Sequence, residues 1–230
     1  MAGLRLTFHL AGINNQNFLM RDEETGTYWQ QISGAAISGP LKGRRLTLVY
    51  SDELTLAVWK SEQPQGTVLD DVPQYVFGYA KRDWDARMER VPTVIAFPEH
   101  GLAGRDVMLG IQAGGASRAF PYNRVVKEKL VKDRVGSEPV LLVVGPDGQS
   151  VRAFRDRIPG VNGAPDFYRI GEAPGALLMD EATGSKWNFQ GCATAGQAQG
   201  KCLEPVAMLK DYWFDWRNYN PGTTVYGVNR

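Results

Sequence analysis

The chain has 230 residues, enough for one or two domains with a real core. Its 26 basic and 25 acidic side chains leave a formal charge of +1 with the signs interspersed, which removes the electrostatic case for a nucleic-acid or anionic-membrane partner. No apolar run approaches the roughly 18 residues of a membrane span, and Met1-Ala2-Gly3-Leu4-Arg5 starts no signal peptide.

Leu4, Leu6, Phe8 and Leu10 alternate with Arg5, Thr7 and His9, the period of a strand with one buried face and His9 on its polar side. After Gly12 comes the polar cluster Asn14-Asn15-Gln16-Asn17, and Phe18-Leu19-Met20 predicts a second strand. Asp22 to Gly26 reads as a turn, because Asp bonds its own backbone and Gly supplies positive φ; the three acids lack the alternating ligand spacing of a calcium loop. Thr27 to Ile32 is the return strand, Gly34 to Gly43 a glycine-punctuated loop, and Leu46 to Tyr50 another strand. Ser51-Asp52-Glu53 predicts a helix start with acids in the first turn and Leu54, Val58 and Trp59 on one face, ended by Pro64.

The span 70–100, with Asp70-Asp71 and the charged run Lys81 to Arg87, reads as a surface connector. Val107 to Ile111 predicts a strand, Gly114-Gly115 a hairpin turn, and Arg118-Ala119-Phe120 the return. Tyr122 to Asp133 is expected as a short helix with Val125, Val126 and Leu130 inward. Val140 to Val144 is a fully buried strand, turned by Pro146-Asp147-Gly148 into Val151 to Phe154. Leu209, Tyr212, Trp213 and Trp216 form an aromatic helix face stopped by Pro221-Gly222, for which core packing is the expected role rather than a ligand platform.

One unit is written twice. Asp22-Glu23-Glu24-Thr25-Gly26-Thr27-Tyr28-Trp29 recurs as Asp180-Glu181-Ala182-Thr183-Gly184-Ser185-Lys186-Trp187, and Phe18-Leu19-Met20 answers Leu177-Leu178-Met179. Gly34, Gly39, Gly43, Leu46, Trp59, Pro64 and Val68 fall on Gly191, Gly196, Gly200, Leu203, Trp216, Pro221 and Val225 at an offset of 157, against 158 at the tryptophans. A period this long predicts domain duplication. The expected fold is α+β, mainly β, in two strand-rich units each closed by a short helix: 1–69, a connector over 70–100, and 101–230. Residues 107–160 have no counterpart before the first unit, so the chain is expected to begin in mid-repeat.

These residues resemble the bacterial and archaeal domain of unknown function 3179. The resemblance rests on FHLAGINNQNFLMRDEETGTYWQQ at 8–31, GPLKGRRLTLV at 39–49, GIQAGGASRAFP at 110–121, DEATGSKWNFQG at 180–191 and KDYWFDWRNYNP at 210–221. Fuller members carry a first-half strand ending in Cys-x-x-Cys or Cys-x-x-selenocysteine, which implies thiol chemistry. The equivalent strand of the second unit runs Val143-Val144-Gly145-Pro146-Asp147, without cysteine.

The cysteines are Cys192 and Cys202. A zinc site would need two more ligands, and only His9 and His100 are available, far away in sequence. A redox pair usually sits closer, so a structural disulfide closing a glycine-rich hairpin is expected, with a periplasmic or extracellular location if it forms; a cytoplasmic one stays open. No nucleophile elbow, P-loop or dinucleotide fingerprint is present, so no nucleotide is expected, while a metal stays open. The candidate ligand-binding residues are His9, Asn14, Asn17, Arg21, Trp29 and Gln31, whereas the corresponding second-unit stretch Arg169 to Ala176 contains no histidine, asparagine or glutamine. Two functions follow: a binding or scaffold module taking a small molecule or a protein, or, as the family resemblance implies, a thiol- or metal-dependent redox enzyme or electron-transfer protein.

Overall fold

The computed structural model describes residues 4–228 except Asn15, Ala164 and Pro174. Asn15 of the polar cluster therefore lies outside the described residues. In chain order the elements are β1 (Phe8–Asn14), β2 (Asn17–Asp22), β3 (Tyr28–Gln30), β4 (Ala36–Ser38), α1 (Leu56–Glu62), a 3₁₀ turn (Pro73–Gly78), α2 (Trp84–Met88), β5 (Val107–Ala113), β6 (Ala116–Pro121), α3 (Tyr122–Glu128), β7 (Leu130–Val135), β8 (Glu138–Val144), β9 (Val151–Arg155), β10 (Phe167–Ala173), β11 (Ala176–Asp180), β12 (Lys186–Trp187), β13 (Ala193–Ala195), β14 (Met208–Tyr212), α4 (Trp213–Tyr219) and β15 (Thr224–Val225). The fold is mainly β with few helices. Its four sheets run β1-β2-β3-β4, β10-β11-β12-β13, β14-β5-β6-β15 and β7-β8-β9.

The three-stranded sheet β7-β8-β9 is the centre. Period-2 alternation sends Val140, Leu142 and Val144 into one cluster with Leu109, Ile111 and Phe120 of β5-β6. Leu141 and Val143 face the other way, into a cluster with Phe167, Leu177, Leu178 and Trp187 of β10 to β12 and Val58 of α1. This two-sided burial is why Val140 to Val144 reads as an unbroken apolar run. Helix α4 covers the outer side of β5 and β6, where Trp213 and Trp216 cluster with Met108 and Ala119. A Cβ on Gly110 would stand 2.2 Å from the Trp216 ring, so glycine is what admits the indole onto the strand.

Several predicted elements are revised by tertiary partners. The first strand begins at Phe8, not Leu4, because the Thr7 N–H is taken by the Glu24 carboxylate at 2.8 Å. The loop Gly34 to Gly43 contains a short strand, β4, paired with β3. Leu46 to Tyr50 forms no strand: its edge contact is the isolated Ala35–Arg45 bridge, and Leu48 and Val49 stand exposed. Helix α1 starts after Thr55, whose hydroxyl accepts from the Val58 N–H at 3.4 Å. Asp52 and Glu53 leave that first turn to pair with Arg152 and Lys210 at 2.7 and 2.9 Å.

In Tyr122 to Asp133 the helix ends at Glu128, where Lys129 turns left-handed with φ 64°, and β7 follows; Leu130 is thus a strand residue. Leu209 and Tyr212 belong to β14, so the aromatic helix face narrows to Trp213 and Trp216. Ladder register also revises the repeat alignment: Met20 pairs with Trp29 and Leu178 with Trp187, so Met20 corresponds to Leu178 rather than to Met179.

Candidate functional site

The turn after β2 forms a closed local network. Asp22 Oδ1 accepts from the Thr25 N–H at 2.6 Å and from its hydroxyl at 2.7 Å, and Oδ2 accepts from the Trp29 indole at 2.7 Å. Gly26 sits at φ 70°, the left-handed region that glycine enters without strain. Asp180 does the same for Thr183 and for the Trp187 indole, the latter at 2.8 Å. Burial opposes ionisation of both aspartates, but the donors around each outweigh it and hold the carboxyls below the ordinary range.

This network divides the expected ligand site. Trp29 is fully buried, edge-on to Phe8 at 5.9 Å, and its N–H is spent on Asp22, so it offers no aromatic face to a ligand. Cross-strand pairing aligns His9 with Arg21 and Tyr28, and Leu10 with Met20 and Trp29. His9 therefore lies on the face opposite Trp29, exposed, with Glu23 4.0 Å away. Arg21 lies over the Tyr28 ring at 5.7 Å and donates to the Gly26 carbonyl at 3.4 Å. Asn14 pairs with Asn17 at the hairpin tip, and Gln31 is exposed with its N–H on the Phe18 carbonyl. The six residues do not converge on one pocket.

Asn17 reaches a buried polar centre on a distant element. Its amide donates to Asp215 of α4, which is 5 % exposed, and the neighbouring Gln16 side chain donates to the Pro92 carbonyl at 3.2 Å. Asp211, at the end of β14, faces Asp215; its Oδ1 accepts from the Tyr212 N–H at 2.7 Å, and its Oδ2 is enclosed without a partner among the described residues. Burial first, and the Asp215 charge second, push the Asp211 carboxyl up to about 8. Asp215 is raised by burial too, opposed by Asn17 and by Arg105. Two carboxyls facing each other in so buried a place disfavour each other's ionisation.

Asp211 and Asp215 are hidden in the sequence by the aromatic stretch around them, which reads as core packing, and their only signal is positional. At the offset of 157 these two positions are Leu54 and Val58 in the first half. There Val58 is buried and Leu54 packs against the same cluster.

The second junction between the halves is also charged. Arg152 of β9, nearly enclosed, makes forked bonds to Glu62 at 2.7 and 2.8 Å and to Asp52 at 2.7 and 2.9 Å, and stacks over Phe189 at 4.6 Å. Cys192 and Cys202 are joined in a disulfide with Cα atoms 4.0 Å apart, below the 4.4 Å lower end of the usual range. They are direct antiparallel partners flanked by the bonds Ala193 N–H to Lys201 C=O and Leu203 N–H to Gly191 C=O, the close non-hydrogen-bonded geometry.

Among the described residues no group of three or more His, Cys, Asp or Glu is placed to hold a metal ion, and no helix is long and apolar enough to cross a membrane. Comparison with curated proteins and with solved structures returns no match to this chain. The family model described as "Protein of unknown function (DUF3179)" matches residues 2–223, and the chain belongs to that family.

Proposed function

We propose that the chain is an extracytoplasmic, non-catalytic binding or scaffold module, and that the apolar face of its first sheet receives a polypeptide partner. The observation that carries this is a difference in cover. In β10 to β13 the strands that hold the Asp–Trp network pack into one core with β8, β9 and α1. On β1 and β2, Leu10, Ile13 and Phe18 remain 62, 69 and 52 % exposed beside the buried Trp29. Ile13 and Phe18 are cross-strand partners, so the exposed residues form one contiguous stripe. Such a patch marks an interaction surface, and a strand-rich apolar polypeptide matches the cover that the other sheet has.

The matched turn networks, and the Ala35–Arg45 bridge lying at the offset of Cys192–Cys202, support two related units, 1–69 and 101–230, around the 70–100 connector. The disulfide supports an oxidising compartment.

The test places a photo-crosslinking phenylalanine at Phe18 and, as control, at Tyr28 on the opposite face, in the native cell. A discrete polypeptide adduct is expected from position 18 alone and should disappear on adding Leu10→Lys. Equal adducts from both positions, or none from position 18, would overturn the assignment.

A further inference from the structure

Away from the first sheet, a groove of about 640 Å³ opens where β9 runs into the loop 158–163, a volume suited to a small molecule. Its polar groups are unevenly satisfied. Asp156 is 3 % exposed; its Oδ2 is 3.5 Å from Lys132, and its Oδ1 is enclosed with no hydrogen-bond partner among the described residues. Lys132 cannot serve it better, since the ammonium is committed to Asp166 at 2.6 Å and to the Pro165 carbonyl at 2.7 Å. Burial, the largest influence on Asp156, raises its carboxyl, the response of an acid short of donors.

The guanidiniums around it differ. Arg155 is occupied by Glu138 at 2.7 Å and Glu204 at 3.0 Å. Arg134 donates only to the Ser137 carbonyl among the described residues. Arg157 is 58 % exposed, with Glu138 no nearer than 3.6 Å. Arg134 thus borders the groove with no carboxylate partner among the described residues and Arg157 with one no nearer than 3.6 Å, two fork-shaped cations of the kind that recognises a planar carboxylate in two-point fashion. Ile158, Pro159 and Val161 supply an apolar wall beside them.

We propose that this groove binds a small hydroxylated carboxylate of the acidic-sugar class, its carboxylate on Arg134 and Arg157, a hydroxyl donating to Asp156, and its C–H face on Pro159. The three elements separate this ligand from its simpler relatives. A neutral sugar leaves the guanidiniums unanswered, and a simple carboxylate leaves the buried oxygen of Asp156 unanswered. A site built to hydrogen-bond a hydroxyl discriminates against the analogue that lacks it.

The experiment is calorimetric titration of the purified chain with glucuronate, glucose and acetate. Saturable glucuronate binding is expected, with glucose and acetate weaker by about tenfold or more. Arg157→Gln and Arg134→Gln, both exposed at the rim and outside the core, should each weaken glucuronate by about tenfold. Asp156→Leu should do the same with the thermal transition followed in parallel. Acetate binding as tightly as glucuronate would reduce the groove to an anion site and overturn the hydroxyl role. Glucuronate binding unchanged in both arginine variants, or absent at tens of millimolar, would overturn the proposal. Neither result bears on the apolar face of the first sheet, whose crosslink reads a different surface.

Discussion

The sheets β1-β2-β3-β4 and β10-β11-β12-β13 have the same strand order, the same Asp–Thr–Trp turn and the same cross-strand bridge, yet one is embedded and the other is half bare. Leu177, Leu178 and Trp187 are buried in the cluster that includes β8 and β9, whereas Leu19 and Met20 are only partly covered and Phe18 is exposed. The difference teaches that the motif closes through its own local bonds, while the burial of its strands depends on what lies against them. Asp22 and Trp29 are seven residues apart and are linked through side chains in one hairpin. Such short-range closure costs little loop entropy and forms wherever the sequence occurs.

The largest expected effect separates local from global stability. Trp187→Ala should cost about 3–5 kcal/mol in denaturant unfolding, since it opens the shared core. Trp29→Ala should chiefly release β1 to β4, read as faster amide exchange there with the main unfolding transition retained. Equal loss of global stability from both variants would show that the first sheet is as integrated as the second.

The staple is the next way to sharpen the comparison. Reducing Cys192–Cys202 should remove about 2–3 kcal/mol from the second sheet in the chain-entropy view. Ala35 and Arg45 hold the equivalent partnered positions, flanked by the bonds Ala36 N–H to Arg44 C=O and Leu46 N–H to Gly34 C=O. Ala35→Cys with Arg45→Cys should therefore oxidise spontaneously and raise protection of the first sheet by an amount up to that range; intact mass and amide exchange read it. Failure to cross-link would show that the two ladders differ in geometry.

The effect that is smallest near pH 4 concerns the junction. Asn17→Ala, Asp211→Leu and Asp215→Val together write the first half's apolar choice into the second, and exchanging a well-formed buried polar set for apolar groups is neutral or gains about 1–2 kcal/mol. The pH dependence fixes the sign. A carboxyl raised to about 8 stabilises the folded chain while it keeps its proton; that contribution is complete below the unfolded value of 3.8 and is lost as pH rises through 8. The wild-type chain should lose stability between pH 4 and 9 relative to the triple variant, measured by thermal unfolding across that range. A constant difference between the two would refute the raised carboxyl of Asp211.

Much of the fold was legible because its signals are local. The Asp22 to Gly26 turn, the Gly114-Gly115 hairpin and the run Val140 to Val144 carry turn chemistry or alternation within a few residues. Leu46 to Tyr50 failed for a tertiary reason: it has strand composition but no strand beside it to pair with. Leu209 to Tyr212 was read as helix because its aromatic spacing suits one, but β5 offered it a ladder from Val107 to Ile111. The candidate site was less legible. His9, Arg21 and Trp29 sit in one hairpin, and only the register sets the first two on one face and the third on the other.

By itself the sequence determined the mainly β character, the turns that open at Asp22 and Asp180 and the cysteine pairing; the turns and the pairing rest on bonds within some ten residues of chain. Tertiary structure alone decided which sheet is covered, that Asn17 meets Asp215 across a separation of 198 residues, and that Arg152 joins Asp52 to Glu62. Contacts at such separations depend on how whole layers stack. That stacking is a sum over many weak apolar contacts, and no single stretch of residues spells it out.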